Sequence, residues 1–394
     1  MKNGLARLLP AIWLTHSALF VSVQSQASDS DFSLHGFGTL GIARSTDDSA
    51  ELVRDLSQRN GLTERWSFET DSLFGLQANL QFHPEFEGVV QAVSRYNPQG
   101  DFKPELTWAF LSYTPSPYIS LRTGRLGNEF YMLADSRLVS YSYVTVRPPI
   151  DYYGTLPFSY IDGMDVALVT PFAGGLLKSK IYAGLSREQS PWEDLQLNMS
   201  GSLLVGGYLD FAKGAWQFRL GHAGLRFDQD LPVEDFYSAL PPETADELRI
   251  AGNWSNFTSL GAVYDSGPLQ TQLLLSKTLN DHGAFQDTWA GYLIASYRMR
   301  DFTPFIGFSA TKSAPKDLKH PLPGYSDAYQ SEFYNDQRTL FFGSRWDFME
   351  NMCLKAQVDL VRGKPDSYFL YRWEDKSEWD GSMTVFSLAL DFVF

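Results

Sequence analysis

The sequence predicts an all-β chain, a transmembrane antiparallel β-barrel of about sixteen strands, on three observations. Segments of about ten residues alternate apolar and polar side chains. Beyond residue 27, no apolar run approaches the ~18 residues that a spanning helix needs. The connections between segments alternate short and long.

Residues 1–27 read as a secretory signal peptide and 28–394 as one barrel domain. Lys2 and Arg7 open the leader, Leu8 to Val23 is mostly apolar, and Ser25-Gln26-Ala27 supplies small residues for cleavage. An anchor helix fits less well, because Pro10, Thr15, His16 and Ser17 interrupt the run. The remaining chain is too apolar for a disordered tail, at 44% hydrophobic and 15% aromatic residues overall. Cys353 has no partner for an internal disulfide and is expected as a small packed residue near a strand end. With 32 Lys and Arg against 46 Asp and Glu, the net charge of −14 gives nucleic acid nothing to bind.

The final segment shows the alternation most clearly. In "MTVFSLALDFVF", Thr384, Phe386, Leu388, Leu390, Phe392 and Phe394 share one face, and Ser387, Ala389, Asp391 and Val393 the other. Leu76, Ala78, Leu80 and Phe82 likewise oppose Gln77, Asn79 and Gln81. Leu197, Met199, Leu203, Val205 and Leu209 oppose Gln196, Asn198, Ser200, Ser202 and Asp210. Leu354, Ala356, Val358 and Leu360 oppose Lys355, Gln357 and Asp359. A packed soluble core tolerates few such long polar side chains.

Strands are expected near 32–43, 71–82, 86–95, 105–114, 118–126, 161–170, 176–187 and 195–211. The second half continues near 215–227, 256–264, 269–279, 287–299, 302–312, 338–348, 352–362 and 383–394. Around "GHAG", 221–224, the parity of strand 215–227 changes, which reads as a bulge. Tight turns fall at "HPE", "PSP", "AKG", "DSGP" and "MEN". Long connections occupy about 44–70, 127–160, 228–255, 313–337 and 363–382, an asymmetry typical of outer-membrane barrels.

Gly36, Gly38 and Gly41 in "HGFGTLGIAR" have the spacing of a dinucleotide-binding turn. That motif needs a helix after it, and here the charged run "RSTDDSAELVRD" follows. The glycines are therefore placed inside the first strand, permitting close approach or leaving room in the lumen.

"GFGTLGIA" as an opening strand, "DSLFGLQANLQF" as the second, "ISLRTGRLG" before the longest connection, and the terminal Phe394 complete a pattern. In their order and spacing they resemble the general diffusion porins of Gram-negative outer membranes, over essentially the whole mature length. The resemblance implies a 16-stranded barrel in the bacterial outer membrane, usually trimeric, whose third external loop folds into the lumen. It implies passive diffusion of small hydrophilic solutes and ions, with no cofactor and no catalysis. In the position of that loop stands the connection 127–160. The chain departs from the family in lacking a Pro-Glu-Phe-Gly-Gly tip on the loop; its "PEF", Pro84 to Phe86, falls in a turn.

A channel of this kind works by the transverse field between charged walls of a narrow aqueous gap. Parity nominates Gln91 and Arg95 on one strand, and Ser120 and Arg122 with Arg125 near the rim on another. The inserted loop offers Glu129, Asp135 and Asp151 beside Arg137 and Arg147. For each, a salt bridge that pins the loop to the wall is an equal alternative. Tyr131, Tyr141 and Tyr143 form either a sugar-stacking track or, more simply, loop packing. Trp216, Phe218, Phe342, Trp346, Phe348, Phe392 and Phe394 are assigned to outward girdles at headgroup level.

Asp228, Asp230, Glu234, Asp235, Glu243, Asp246 and Glu247 make an acidic external loop. Divalent bridging to lipopolysaccharide is one reading of it and a solvated loop the simpler one. The histidines His35, His83, His222, His282 and His320 show no metal-ligand spacing. A solute-selective channel, or an enzyme or adhesin displayed on a barrel, are the alternative readings.

Overall fold

The computed structural model describes residues 32–154, 159–192, 195–314, 316–367, 371–373 and 378–394. The signal segment 1–27 lies outside the described residues. The first eight barrel strands are Phe32–Arg44 (β1), Leu73–His83 (β2), Phe86–Arg95 (β3), Glu105–Ser116 (β4), Ile119–Gly127 (β5), Tyr160–Phe172 (β6), Gly175–Leu185 (β7) and Leu203–Lys213 (β8). The second eight are Trp216–Arg226 (β9), Trp254–Ser266 (β10), Leu269–Asn280 (β11), Asp287–Tyr297 (β12), Phe302–Ala314 (β13), Asp336–Met349 (β14), Met352–Gly363 (β15) and Ser382–Val393 (β16). Each strand pairs antiparallel with its sequence neighbours, and β1 pairs with β16 to close the barrel. The closing seam runs from Phe37 opposite Val393 to Arg44 opposite Phe386. Gly36 and Phe394 extend it by exchanging backbone hydrogen bonds of 2.9 Å in both directions.

Closure follows from the sequence pattern. Strands with one oily face leave no edge only if the sheet returns on itself, and hydrocarbon offers an unpaired edge no partner. The oily face points outward: Leu40, Phe74, Leu76, Leu121, Val166, Leu209, Leu260, Leu293, Leu340 and Leu388 are all exposed. Gln77, Gln91, Asp165, Lys180, Asp210, Arg219, Lys355, Asp359 and Asp391, at inward positions, are buried. Tight turns and both strand termini of the seam lie at one end of the barrel, and the long connections lie at the other. Trp216, Phe218, Phe342, Trp346, Phe348 and Phe394 are exposed on the outward face toward the tight-turn end. There Trp216 stacks on Phe218, and Phe302 on Trp346, each pair within 4° of parallel.

Gly36 and Gly38 of the opening motif lie on the outward face. A Cβ on either would stand 2.1 Å from the ring of Phe394 or 2.4 Å from that of Phe392. The C-terminal rings lie flat across β1 because those two side chains are missing. At Gly41 a Cβ would meet the Asp71 Cβ at 2.5 Å.

Two expectations need correction. The strand expected at 195–211 begins at Leu203. Residues Leu195–Asn198 instead pair with Gln189–Trp192 in a small external hairpin, because Ser200 and Gly201 form a turn before the barrel ladder. No bulge exists at 221–224: β9 keeps unbroken register from Trp216 to Arg226 with both β8 and β10. The apparent parity change is real polarity on the outward face, where His222 Nδ1 lies 2.9 Å from Thr258 Oγ1. Cys353 is the second residue of β15, buried with its Sγ 3.7 Å from Asp391 Oδ2.

Gly41→Val would push Asp71 off the wall. Overpacking of this kind costs about 1–3 kcal/mol, so a lower urea midpoint for unfolding of the micelle-folded barrel is expected, whereas Ala43→Gly beside it leaves Asp71 in place.

Candidate pore and its inner loop

After β5 the chain turns into the barrel instead of rising outside it, and the wall residues explain why. Glu129 meets a cationic wall: Arg122 of β5 donates to it at 2.7 Å, Lys180 of β7 at 2.8 and 2.9 Å, and Tyr208 of β8 at 2.6 Å. Asp165 of β6 completes the cluster, with Arg122 Nε at 3.0 Å and Lys180 at 3.4 Å. Arg219 of β9, clamped by Asp210 at 2.6 and 2.7 Å, then donates to the Tyr131 carbonyl at 2.9 Å. Ser259 of β10 holds the Phe130 carbonyl.

Crossing the lumen, the loop reaches the opposite wall. Lys355 of β15 donates to the carbonyls of Ser140 (2.6 Å) and Thr145 (3.0 Å) while paired with Asp391 at 2.8 Å. Arg345 of β14 donates to the Tyr141 carbonyl at 2.6 Å. Arg147 enters a fully buried socket: Asp71 takes it in a fork at 2.9 and 2.6 Å, Asp359 at 2.8 Å and Ser387 at 2.6 Å. One helical turn, Ile150–Tyr153 (α1), follows. Asp151 receives hydrogen bonds from Ser309 of β13 and Gln337 of β14, and Tyr153 bonds the Met132 carbonyl and lies 3.3 Å from the Tyr292 hydroxyl of β12.

Apolar packing fills in between these polar ties. Phe130, Tyr131, Met132, Tyr152 and Tyr153 join Phe257, Tyr292 and Phe341 of the wall in one buried cluster. That cluster continues into the outer connections, through Leu231, Tyr237, Leu248, Tyr329 and Phe333. The helices Glu234–Ala239 (α2), Pro242–Leu248 (α3) and Tyr325–Ser331 (α4) meet there, Phe236 stacking on Tyr329 at 4.8 Å. Glu247 also receives the amides of Lys319 and His320.

The expected site residues fall into distinct places. Arg122 and Glu129 lie inside and touch each other. Gln91 is buried inside, tied to Gln77 and Thr107. Arg95 pairs with Asp55 of the first long connection at 2.9 Å, and Arg137 bonds Ser159 nearby at 2.6 Å. Asp151 and Arg147 are brought to the far wall, away from Glu129. Asp135 is half-buried and accepts the amide of Ser136.

Arg125 needs correction as a lumen candidate. Three residues beyond the inward Arg122, in unbroken register, it takes the outward face with Asp162 at 2.8 Å and lies over the Tyr160 ring. The tyrosines are loop packing: Tyr131 meets Phe257 edge-on, Arg345 covers Tyr141, and Arg54 holds the Tyr143 hydroxyl. Sequence reasoning missed Lys180, Asp165, Arg219 and Asp210. Strand parity is the signal that could have found them, since all four take inward positions, but their partners are on other strands.

Where the loop rejoins β6, Glu188 receives the amides of Ser159 and Tyr160. Burial pushes its carboxyl up to about 7, against the pull of the Ser159 amide, Arg95 and Arg137. Burial also raises Asp151, which has hydroxyl and amide partners only. Burial would raise Asp55 too, but Arg95, Arg137 and Arg54 outweigh it and hold that carboxyl well below the usual range.

Removing Arg147 as Arg147→Ala leaves Asp71 and Asp359 buried without their cation, at a cost of about 3–5 kcal/mol, to be read as a lowered urea midpoint. With its carboxyl raised to about 7 in the fold, Glu188 favours the folded state fully below about pH 4.5, and that contribution is lost as pH rises through about 7. Thermal midpoints at pH 4.5 and pH 8 should therefore differ less in Glu188→Gln than in the parent protein.

No protein-family model matches the sequence, and no curated protein matches it. Solved structures do. OmpF of Salmonella typhi in complex with daunomycin is 12% identical, with 93% of this chain and 98% of that chain covered at a TM-score of 0.58. The anion-selective porin from Comamonas acidovorans is 14% identical over 93% and 100%, at 0.57. The outer membrane channel DcaP of Acinetobacter baumannii is 10% identical over 93% and 97%, at 0.56. At such identities the likeness is one of fold: the chain has the closed 16-stranded architecture of the outer-membrane porins.

Proposed function

We propose that the chain is a bacterial outer-membrane channel through which small hydrophilic solutes and ions diffuse passively, restricted by the loop after β5. The observation that carries this reading is a closed barrel, oily outside and charged inside, with an irregular segment laced across its interior. Irregular backbone at membrane depth is tolerated where protein or water surrounds it, and here wall cations hold its carbonyls. The pore-lining candidates are Arg122, Glu129, Asp135 and Gln91, with Arg95 and Arg137 toward the outer end. A homotrimer fits the proposal, since a trimer form is among the solved relatives in fold. Outer-membrane lipid and lipopolysaccharide would surround the barrel.

A second reading, a solute-selective channel, is favoured by one feature. Polar ties and aromatic packing fix the loop to opposite walls at once, so that it spans the lumen.

Planar-bilayer recording on the purified protein tests both. Steady conductance without solute block is expected of a diffusion pore, block by one class of solute of the selective channel, and absence of conductance rejects both. In a salt gradient, Glu129→Gln frees positive charge on Lys180 and Arg122, so the reversal potential should move toward anion preference; an unmoved potential removes this cluster from the pore.

A further inference from the structure

We propose that the outer ends of β11 to β15 form a binding site for the phosphate groups of an outer-leaflet glycolipid. This rests on the outer-membrane reading above. Four cations take outward positions there: Lys277, Lys312, Arg338 and Arg362, on β11, β13, β14 and β15. Their strand neighbours on the same face, Leu275, Phe308 and Leu340, are exposed apolar residues, as the lipid-facing side requires. All four cations stand within a few residues of the long-connection end.

Register brings them into one patch. Lys277 lies opposite Trp289, and Trp289 opposite Lys312. The Lys277 ammonium sits 4.7 Å above the Trp289 ring. Lys312 is opposite Asp336, two residues along β14 from Arg338, and Arg338 is directly opposite Arg362. At the spacing of adjacent strands the patch is about 19 Å wide.

Such an arrangement is unfavourable by itself. Like charges directly opposite across an antiparallel pair destabilise it, and outward cations interrupt a face that is otherwise oily. Among the described residues, no carboxylate lies in ion-pair range of these four. The nearby acids are engaged elsewhere: Asp336 by Lys364 at 3.4 Å and Asp287 by Lys316 at 3.9 Å.

Elsewhere on the rim the outward cations stand singly. Arg125 is neutralised by Asp162, Arg44 at the end of β1 lies over the Trp66 ring, Arg226 at the end of β9 donates to the Gly252 carbonyl, and exposed Phe74 and Leu106 stand at comparable outward positions. A cationic patch on one side of an acidic chain, at headgroup level with apolar residues just below it, is complementary to an anionic headgroup whose acyl chains cover those residues.

The test uses the micelle-folded protein with three probes: a bis-phosphorylated diglucosamine lipid, the same lipid stripped of phosphate, and inorganic phosphate. Heat-modifiable gel mobility first establishes that each sample is a folded barrel, so failure of the barrel reading is seen separately. Binding of the phosphorylated lipid should exceed that of the stripped lipid by at least about tenfold and weaken with salt. Each of Arg338→Gln and Arg362→Gln should lower it about fivefold, as one near-surface cation does, and the fourfold Gln variant by more. The rim control, Arg125→Gln with Asp162→Asn, should bind as the parent does. Equal binding of both lipids, or undiminished binding by the single variants, overturns the site. Inorganic phosphate competing at similar affinity overturns the lipid as its occupant.

Discussion

Pairing of β1 with β16 is the constraint on which everything else in this fold depends. Hydrocarbon gives backbone amides and carbonyls nothing to bond, so a sheet in a bilayer is stable only with both edges satisfied by each other. The seam is built for this down to its last residue: Phe394 bonds Gly36 in both directions, and its ring fills the place of the missing glycine side chain. Once the ring is closed, a period of two sorts every side chain into lipid-facing or interior. The charges cannot then be placed anywhere but inside or at the rim.

Inside a low-dielectric ring, an isolated charge is expensive, and the molecule answers by clustering. Arg147 is shared by two aspartates, Glu129 by three donors, and Lys355 by Asp391 and two carbonyls. In several of these clusters the loop supplies only its backbone. Arg219, Arg345 and Lys355 each grip carbonyl oxygens of the loop, so the charge belongs to the rigid wall and the loop needs no regular structure of its own. The wall cations that seat the loop are the same ones that, in the proposed channel, would orient a solute dipole.

The fold was legible in the sequence because each strand carries its own signal. The polarity of Leu354 to Leu360 can be read without knowing what lies beside it. The start of β8 was not legible, since Leu195–Asn198 alternates as a barrel strand does and only its partner, Gln189–Trp192, reveals the hairpin. His222 was misread for the opposite reason: an outward polar residue mimics a slip of register unless Thr258 on the next strand is in view. The site was legible as an inventory of inward charges and not as a set of pairs. Arg147 finds Asp359 more than two hundred residues away, a contact that exists only after closure. Arg125 shows the limit of counting near a rim, where three residues instead of two from Arg122 reverse its face.

In the proposed channel, this pairing also decides which charges could act on a passing ion. A formal net charge of −14 would suggest a cation-attracting interior, yet most interior carboxylates are neutralised at contact distance. Opposite charges 3 Å apart present little more than a dipole a few ångströms away, and salt screens what remains. The residual field inside therefore depends on groups without a contact partner of opposite sign. Asp135 on the loop and Lys178 on β7, both partly exposed, are of this kind among the described residues. If the chain is the channel proposed above, its selectivity would be set by a small difference among many opposed charges, and so by the loop's exact seating and not by the composition of the chain.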